Sequence, residues 1–352
     1  MIASSHQLVD SDAVWNRYRH NFSRHLLGVA RYLQASMMNT LREECGHGNL
    51  RLGFTPYIML IGEQGRRLTD IADVLGISRQ ACNQAVKQIE AAGYIARNPD
   101  PVDGRAKQLS LTPRGVRLRA DGVRIVSRLD REFMWLAGEP SIVDTSKSLA
   151  KIYHHLGLGM TRRGANAAPG VAMGALLPGL ADYILLRLME LTRDKGHPGL
   201  KLSFGQVLTL IGPGGGRIQQ IAATQDVSKQ AISAIATELE ELGYLQRDAD
   251  PLDARQLVLQ FTDRGLDLIA DSVASVDQLE AEFAAIIGKA ALKRMTGTLH
   301  VVYRGLQLEQ DIFEGNGTAD IGLLARQLQQ QLGDHASQAL ARLLLTPSVT
   351  TR

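Results

Sequence analysis

The sequence predicts a mainly α chain with small β-wings, built from two copies of one domain that face each other through long flanking helices. Three observations carry that expectation. The chain repeats itself at an offset of 150 residues, without a gap from residue 66 to residue 115, where 18 of 50 positions are identical to their partners. Each copy holds, in the same order, a short helical pattern, a tight turn, a second helical pattern and two strand-like runs. Each then continues into apolar residues at steps of three and four, Val116 to Leu136 in the first copy, a stripe too long for one small domain to cover alone. At 352 residues the chain is long enough for two domains with cores of their own.

From the N-terminus, residues 12–44 are expected to form one long helix with Trp15, Phe22, Leu26, Leu33 and Met37 on its apolar side, and Phe54 to Ile61 a short second one. Thr69 stands before the apolar pair Ile71 and Ala72, where it can cap the next helix. Gly76 supplies a sharp turn, and Ser78 caps the helix that follows. That helix turns Cys82, Ala85, Val86 and Ile89 inward, and Gly93 ends it. Tyr94–Arg97 and Lys107–Leu111 read as the strands of a hairpin with Asp-Pro-Val-Asp-Gly-Arg at its tip. This order is that of a winged helix-turn-helix.

Val116, Ala120, Val123, Val126, Leu129, Phe133 and Leu136 form the stripe of the next helix, and 141–158 closes the first domain. Residues 161–174, rich in Gly, Ala and Pro, read as a linker. The second copy follows with helices from Leu176 to about Lys195 and Phe204 to Ile211. Its stripe runs through Leu266, Ala270, Val273, Val276, Leu279, Phe283 and Ile286, and 289–308 closes it. The two halves are expected to cover each other's stripes, a dimer within one chain; the alternative is that each stripe only closes its own domain's core. Residues 309–352 have no counterpart in the first half and carry a helical pattern (Ile321, Leu324, Leu328, Leu332) that could brace the pair or join chains together. The predicted division is therefore 1–160, 161–174, 175–308 and a C-terminal helical extension, 309–352.

The segments ISRQACNQAVKQIEAAGYI and DPVDGRAKQLSLTPRG resemble the MarR family of bacterial transcription regulators, and with the second copy the resemblance covers most of residues 26–308. It implies winged-helix dimers that bind palindromic operators, many of which release DNA when a small aromatic or phenolic compound binds. It also implies that Arg105 enters the minor groove with Asp103 bracing it.

The residues themselves point the same way. Arg79, Gln80, Asn83, Gln84 and Lys87 give the second helix a long-armed, hydrogen-bonding and cationic face, with no carboxylate until Glu90. Such side chains reach guanine and adenine edges in a major groove. Ser78 is expected at a phosphate by the helix N-terminus, with Arg97 and Lys107 near the backbone. The second head offers Ser228, Lys229, Gln230, Ser233 and Arg255, but Lys229 replaces Arg79, and Ser233, Ala234 and Thr237 shorten the face. Glu238 replaces Gln88, adding a charge that phosphates repel, and Leu257 replaces Lys107.

Net charge is +3, yet residues 1–165 carry 23 Lys and Arg against 15 Asp and Glu, a net +8, while 166–352 carry 16 against 21, a net −5. Only the first half has the footprint of a strong phosphate binder. The leading expectation is a double-stranded-DNA-binding transcription regulator, a repressor, whose unlike heads read an asymmetric or imperfectly palindromic operator. The alternative is a ligand- or partner-sensing scaffold in which only the first domain binds DNA.

No nucleophile triad, phosphate-cradling glycine loop or carboxylate pair suggests an enzyme. Cys45-Gly-His47 and His154-His155 are incomplete metal sets, so no metal and no cofactor is expected. Two cysteines fit a reducing cytoplasm, and Ala167–Leu186 is too interrupted by Pro169, Pro178, glycines and Asp182 to span a membrane. In the resembled family an effector lies between dimerisation helices and DNA-binding core. Tyr32, Tyr57, Met59 and Trp135 are the candidates to line such a pocket here, with Arg31 or His25 meeting a carboxylate or phenolate; ordinary core packing stays open for each.

Overall fold

The computed structural model describes residues 11–100, 107–158, 172–225, 227–250 and 253–308. The expected linker up to residue 171, the tip of the first wing and the C-terminal extension lie outside the described residues. The first half runs α1 (Ser11–Arg19), α2 (Phe22–Glu43), α3 (Thr55–Ile61), β1 (Arg66–Arg67), α4 (Leu68–Leu75), α5 (Arg79–Ala91), β2 (Ile95–Pro99), β3 (Lys107–Leu111), α6 (Pro113–Ala137) and α7 (Glu139–His155). The second repeats it as α8 (Met173–Asp194), α9 (Gly205–Leu208), β4 (Gly216–Arg217), α10 (Ile218–Gln225), α11 (Lys229–Glu241), β5 (Leu245–Asp250), β6 (Asp253–Phe261), α12 (Asp263–Ile287) and α13 (Lys289–Gly305). Each half thus contains a winged helix-turn-helix, and the long helices on either side of it pack against those of the other half.

Local chemistry sets most boundaries. Gly76 takes φ +65° and its N–H returns to the carbonyls of Ala72 and Asp73, closing α4 in a left-handed cap that a side chain at this position would strain. Ser78 Oγ then accepts the N–H of Ala81 at 3.1 Å and opens α5, as Ser228 Oγ accepts that of Ala231 at 3.2 Å to open α11.

Four expectations are corrected. The helix expected over residues 12–44 is broken after Arg19, because Asn21 is extended (φ −139°, ψ 161°) and its side chain caps a new helix through the N–H of Arg24. Thr69 is no cap, since α4 already opens after Arg67 and the Thr69 hydroxyl bonds to Asp70. The hairpin is a three-stranded sheet ordered β1-β3-β2, with Arg66 opposite Leu109, and β4-β6-β5 repeats it. Two residues are too short a run for alternation to reveal.

The fourth correction concerns the stripe on α6. Val116, Ala120 and Val123 are exposed, and Leu118 and Ile125 are buried in their stead, while Leu129 and Phe133 are buried as expected. A step of three falls about 60° short of a full helical turn, so three in a row, from Ala120 to Leu129, swing the pattern about half-way round the helix. Only the later part of the stripe is therefore covered. In α12 the same pattern starts at exposed Leu266 and ends at buried Val276, Leu279 and Phe283.

The halves share a seam with approximate two-fold logic. Gly28 of α2 lies under the ring of Tyr303 of α13, and Gly179 of α8 lies under the ring of Tyr153 of α7. A Cβ on Gly28 would stand 2.3 Å from the Tyr303 ring and one on Gly179 2.9 Å from that of Tyr153. Carboxylates reciprocate too. Asp130 of α6 accepts the N–H of Gly174 in the first turn of α8 at 2.8 Å, and Glu280 of α12 accepts the N–H of Phe22 that opens α2 at 3.3 Å. Each half therefore places a negative group at the positive end of the other half's long helix. Phe22 meets Phe283 edge to face at 5.6 Å, and Arg17 of α1 binds Asp277 and Glu280 of α12, each at 2.7 Å. One apolar core runs through the first winged unit, α2, α7, α8 and α13, while the second winged unit has a separate core around Phe204, Ile232 and Tyr244. No helix among the described residues is long and apolar enough to cross a membrane.

Replacing Gly28 by Ala is expected to lower stability in urea unfolding by about 1–3 kcal/mol, the usual range for overpacking. In a Tyr303→Ala background the same change should cost far less; equal costs in the two backgrounds would mean that the ring contact does not hold the seam.

Candidate nucleic-acid interface

Burial of Cys82, Val86 and Ile89 fixes which side of α5 meets solvent. Ser78, Arg79, Gln80, Gln84 and Lys87 are all exposed along it, and Lys107 is exposed at the far end of β3. The Cys82 thiol, pushed up by burial, contacts the Leu68 carbonyl, so the same side chains that anchor α5 to α4 aim its polar face outward.

Asn83 and Arg97, both expected at DNA, are bonded to each other. Arg97 donates to Asn83 Oδ1 at 2.8 Å and to Glu90 at 3.1 Å, which ties β2 to the flank of α5. The second half has the same brace: Arg247 pairs with Glu240 at 2.7 Å and donates to Thr237 Oγ1 at 3.2 Å. The wing's base is fastened by Arg67, which binds the buried Asp100 at 2.6 Å. Arg105 lies outside the described residues, as does the side chain of Arg255.

On the second head Ser228, Lys229 and Gln230 are exposed and Ser233 is half-buried. Lys229 donates to Gln219 at 3.0 Å. Glu238 does not stand alone as an anion, because Lys201 forms an ion pair with it. At the matching place in the first head Arg51 donates to Gln88 at 3.0 Å, so a full positive charge is kept there. Arg51 and Lys201 were not singled out from sequence. Two basic residues at the same step of the repeat were the signal that could have found them.

A cavity of about 590 Å³ lies between α2 and the second winged unit, lined among others by Tyr18, Arg24, Arg31, Tyr32, Phe204 and Thr209. The Tyr18 hydroxyl, pushed up to about 12 by burial, donates to the Leu208 carbonyl at 3.3 Å. Arg24 donates to the Thr209 carbonyl at 3.2 Å, and Tyr32 to Glu132 at 2.9 Å. Of the four pocket residues expected from sequence, Tyr32 is here and three are not. Tyr57 is buried in the first winged unit's core, Met59 is 39% exposed and Trp135 is 62% exposed. The cavity is formed between the halves, so its lining is drawn from both.

The sequence profile of the MarR family matches residues 56–106 and 199–256, which take in α3 to β2 of the first half and α9 to β5 of the second. A transcriptional regulatory protein for the hcr operon of Thauera aromatica is 28% identical over 113 residues, which is 32% of this chain and 66% of that protein, so the chain spans just under two thirds of that relative's length. Among solved structures, CouR from Rhodococcus jostii RHA1 bound to p-coumaroyl-CoA is 26% identical, covering 38% of this chain and 92% of CouR with a TM-score of 0.31. The regulator Tm0710 from Thermotoga maritima is 21% identical, covering 39% and 96% with a TM-score of 0.31.

Arg97→Met tests the brace. The pair is partly exposed, so the change is expected to cost less than about 1 kcal/mol in global unfolding. Amide exchange along Ile95–Pro99 should nevertheless accelerate well beyond that of α6; unchanged exchange in the strand would show that the wing is held by other contacts.

Proposed function

This chain carries two MarR-family domains in tandem, and we propose that it is a transcription regulator that binds double-stranded DNA through two unlike reading heads in one polypeptide. The observation that carries this reading is the exposed face of Ser78, Arg79, Gln80, Gln84 and Lys87 on a capped, anchored helix beside a wing, repeated in weaker form on α11. Ser78 and Ser228 lie at phosphates and Arg79 and Gln80 at base edges, with Asn83, Lys87 and Lys107 at edges or nearby phosphates and Arg105 in the minor groove. Lys229, Gln230, Ser233 and Arg255 take the equivalent places in the second half-site. Residues 1–160 and 175–308 are the two domains, joined by 161–174. The heads address half-sites about 34–36 Å apart, and since they differ, the operator is asymmetric or imperfectly palindromic.

Regulation follows from the cavity. Aromatic walls at Tyr18, Tyr32 and Phe204, with the guanidinium groups of Arg24 and Arg31 at hand, suit a small aromatic acid or phenolate. Bound there, it would wedge α2 away from the second head, disturb the spacing of the two helices and release DNA, the behaviour of a repressor. A second reading, a scaffold in which only the first domain binds DNA, is favoured by the tethering of Lys229 and the net −5 of residues 166–352. Footprint length separates the two: two heads protect about two turns or more, one about half that.

Arg79→Ala is expected to weaken binding by about 1–3 kcal/mol and to relax base preference in one half-site only. Lys229→Ala should cost less and mainly reduce the salt slope by about one. Both are read by titrating selected operators scanned base by base; equal base sensitivity of the two half-sites would overturn the ranking of the heads.

A panel of aromatic carboxylates and phenols, screened by thermal shift, should raise the melting temperature of the intact chain and weaken operator binding. Arg24→Leu should abolish the response to carboxylates; a response that survives it would place the effector elsewhere.

A further inference from the structure

Three histidines meet at the seam, well away from the reading heads. His20 lies between α1 and α2, His25 in the first turn of α2, and His300 on α13 of the other half. One ring nitrogen from each lies within 4.8 Å of the other two, and His25 Nε2 stands 3.3 Å from His300 Nδ1. The ring of Tyr303 closes the far side of His25 at 4.9 Å. His25 is 2% exposed and its Nδ1 has no hydrogen-bond partner.

We propose that His20, His25 and His300 bind one late first-row divalent ion, of which Zn²⁺ is the reference case, and so clip the two halves together. Ligand nitrogens about 2.0–2.1 Å from a tetrahedral ion are about 3.3–3.4 Å apart, which is the spacing His25 and His300 already have. His20 belongs to the short junction before the Asn21 cap, so its ring needs to swing in by only about 1–2 Å to complete the triangle. Three imidazoles without a carboxylate select Zn²⁺, Co²⁺, Ni²⁺ or Cu²⁺ over Mg²⁺ or Ca²⁺. The rings of His20 and His300 are only half-buried, which leaves a side open for a water as fourth ligand.

The repeat supplies an internal control. The fourth residue of α2 is His25, and the fourth of α8 is Leu176; the twelfth of α13 is His300, and the twelfth of α7 is Ala150. The same helix–helix contact is thus made on the related side by aliphatic side chains. Packing does not require imidazoles there, and each half contributes to the set.

The test uses the full chain without a histidine tag, stripped with EDTA and titrated with Zn²⁺ against a chromophoric chelator and with Co²⁺ by visible absorption. One ion per chain is expected, with intense Co²⁺ bands of four-coordinate geometry and a thermal midpoint that rises with added Zn²⁺. His300→Ala, which installs the residue found at the related position, should weaken binding by more than about 100-fold, since loss of an outer-shell partner alone costs about 10–100-fold. His20→Asn should weaken it as well, and gives an independent reading should His300→Ala melt early in EDTA. Absence of stoichiometric binding, or binding that neither substitution weakens, overturns the proposal.

Discussion

The contact between Gly28 and Tyr303, mirrored by Gly179 and Tyr153, is the constraint on which the remaining architecture depends. Among the described residues, the elements of one winged unit do not pack on those of the other. Each is carried on long helices, and the angle between the two heads is set where those helices cross and where Tyr18 and Arg24 hold the carbonyls of Leu208 and Thr209. Removing a side chain at each crossing lets an opposing ring sit against the backbone, which fixes both the distance and the sliding position of α2 on α13 and of α8 on α7. The capping of α2 by Glu280 and of α8 by Asp130 acts in the same register, because a carboxylate rewards only the helix whose first turn faces it. Asp130 is buried, and burial raises its pKa while the N–H groups of Gly174 and Met173 draw it back.

Joining the halves in one chain removes a restriction that pairing of identical chains imposes. At a two-fold axis a residue meets its own copy, so a charge there meets the same charge. Here the sixth residue of α7 is Asp144, the sixth of α13 is Arg294, and they form an ion pair at 2.9 Å. Two identical carboxylates or guanidinium groups at that place would repel. The same freedom lets His25 and His300 occupy the places that Leu176 and Ala150 take on the related side. It also lets the cavity by the second head hold Arg24 and Arg31, where the corresponding steps of α8 carry Ala175 and Asp182.

What the sequence revealed was what local chemistry decides. Gly76 and Ser78 were legible because a left-handed turn and an N-cap need specific residues at specific steps, and the repeat was legible because the same steps recur. The break at Asn21 was not, since apolar spacing continues across it from Trp15 to Phe22 while the cap interrupts only the backbone. Arg97 read as a free cation because its partners, Asn83 and Glu90, come from the neighbouring helix. Tyr57, Met59 and Trp135 were chosen within one copy, whereas the cavity takes residues near 20–35 and near 185–210, which only the seam brings together. The histidine cluster escaped for the same reason: His25 and His300 are separated by most of the chain, and no ligand spacing in sequence announces such a site.

If an effector binds in the cavity as proposed, its position makes regulation one-sided. Tyr18 and Arg24 grip the carbonyls of Leu208 and Thr209, at the end of α9, and α9 packs on α11. On the proposed reading, an acid that recruits Arg24 must loosen its bond to Thr209, and the displacement passes through α9 to the second reading helix. The first helix, α5, is held by Cys82, Val86 and Ile89 in a core continuous with the seam and feels no equivalent push. Both chemistry and leverage therefore fall on the weaker head. If that head contributes less base discrimination, as proposed, the effector would act by withdrawing the half of the grip that the chain can lose most readily, and the first head would keep its register on DNA until salt or competition removed it.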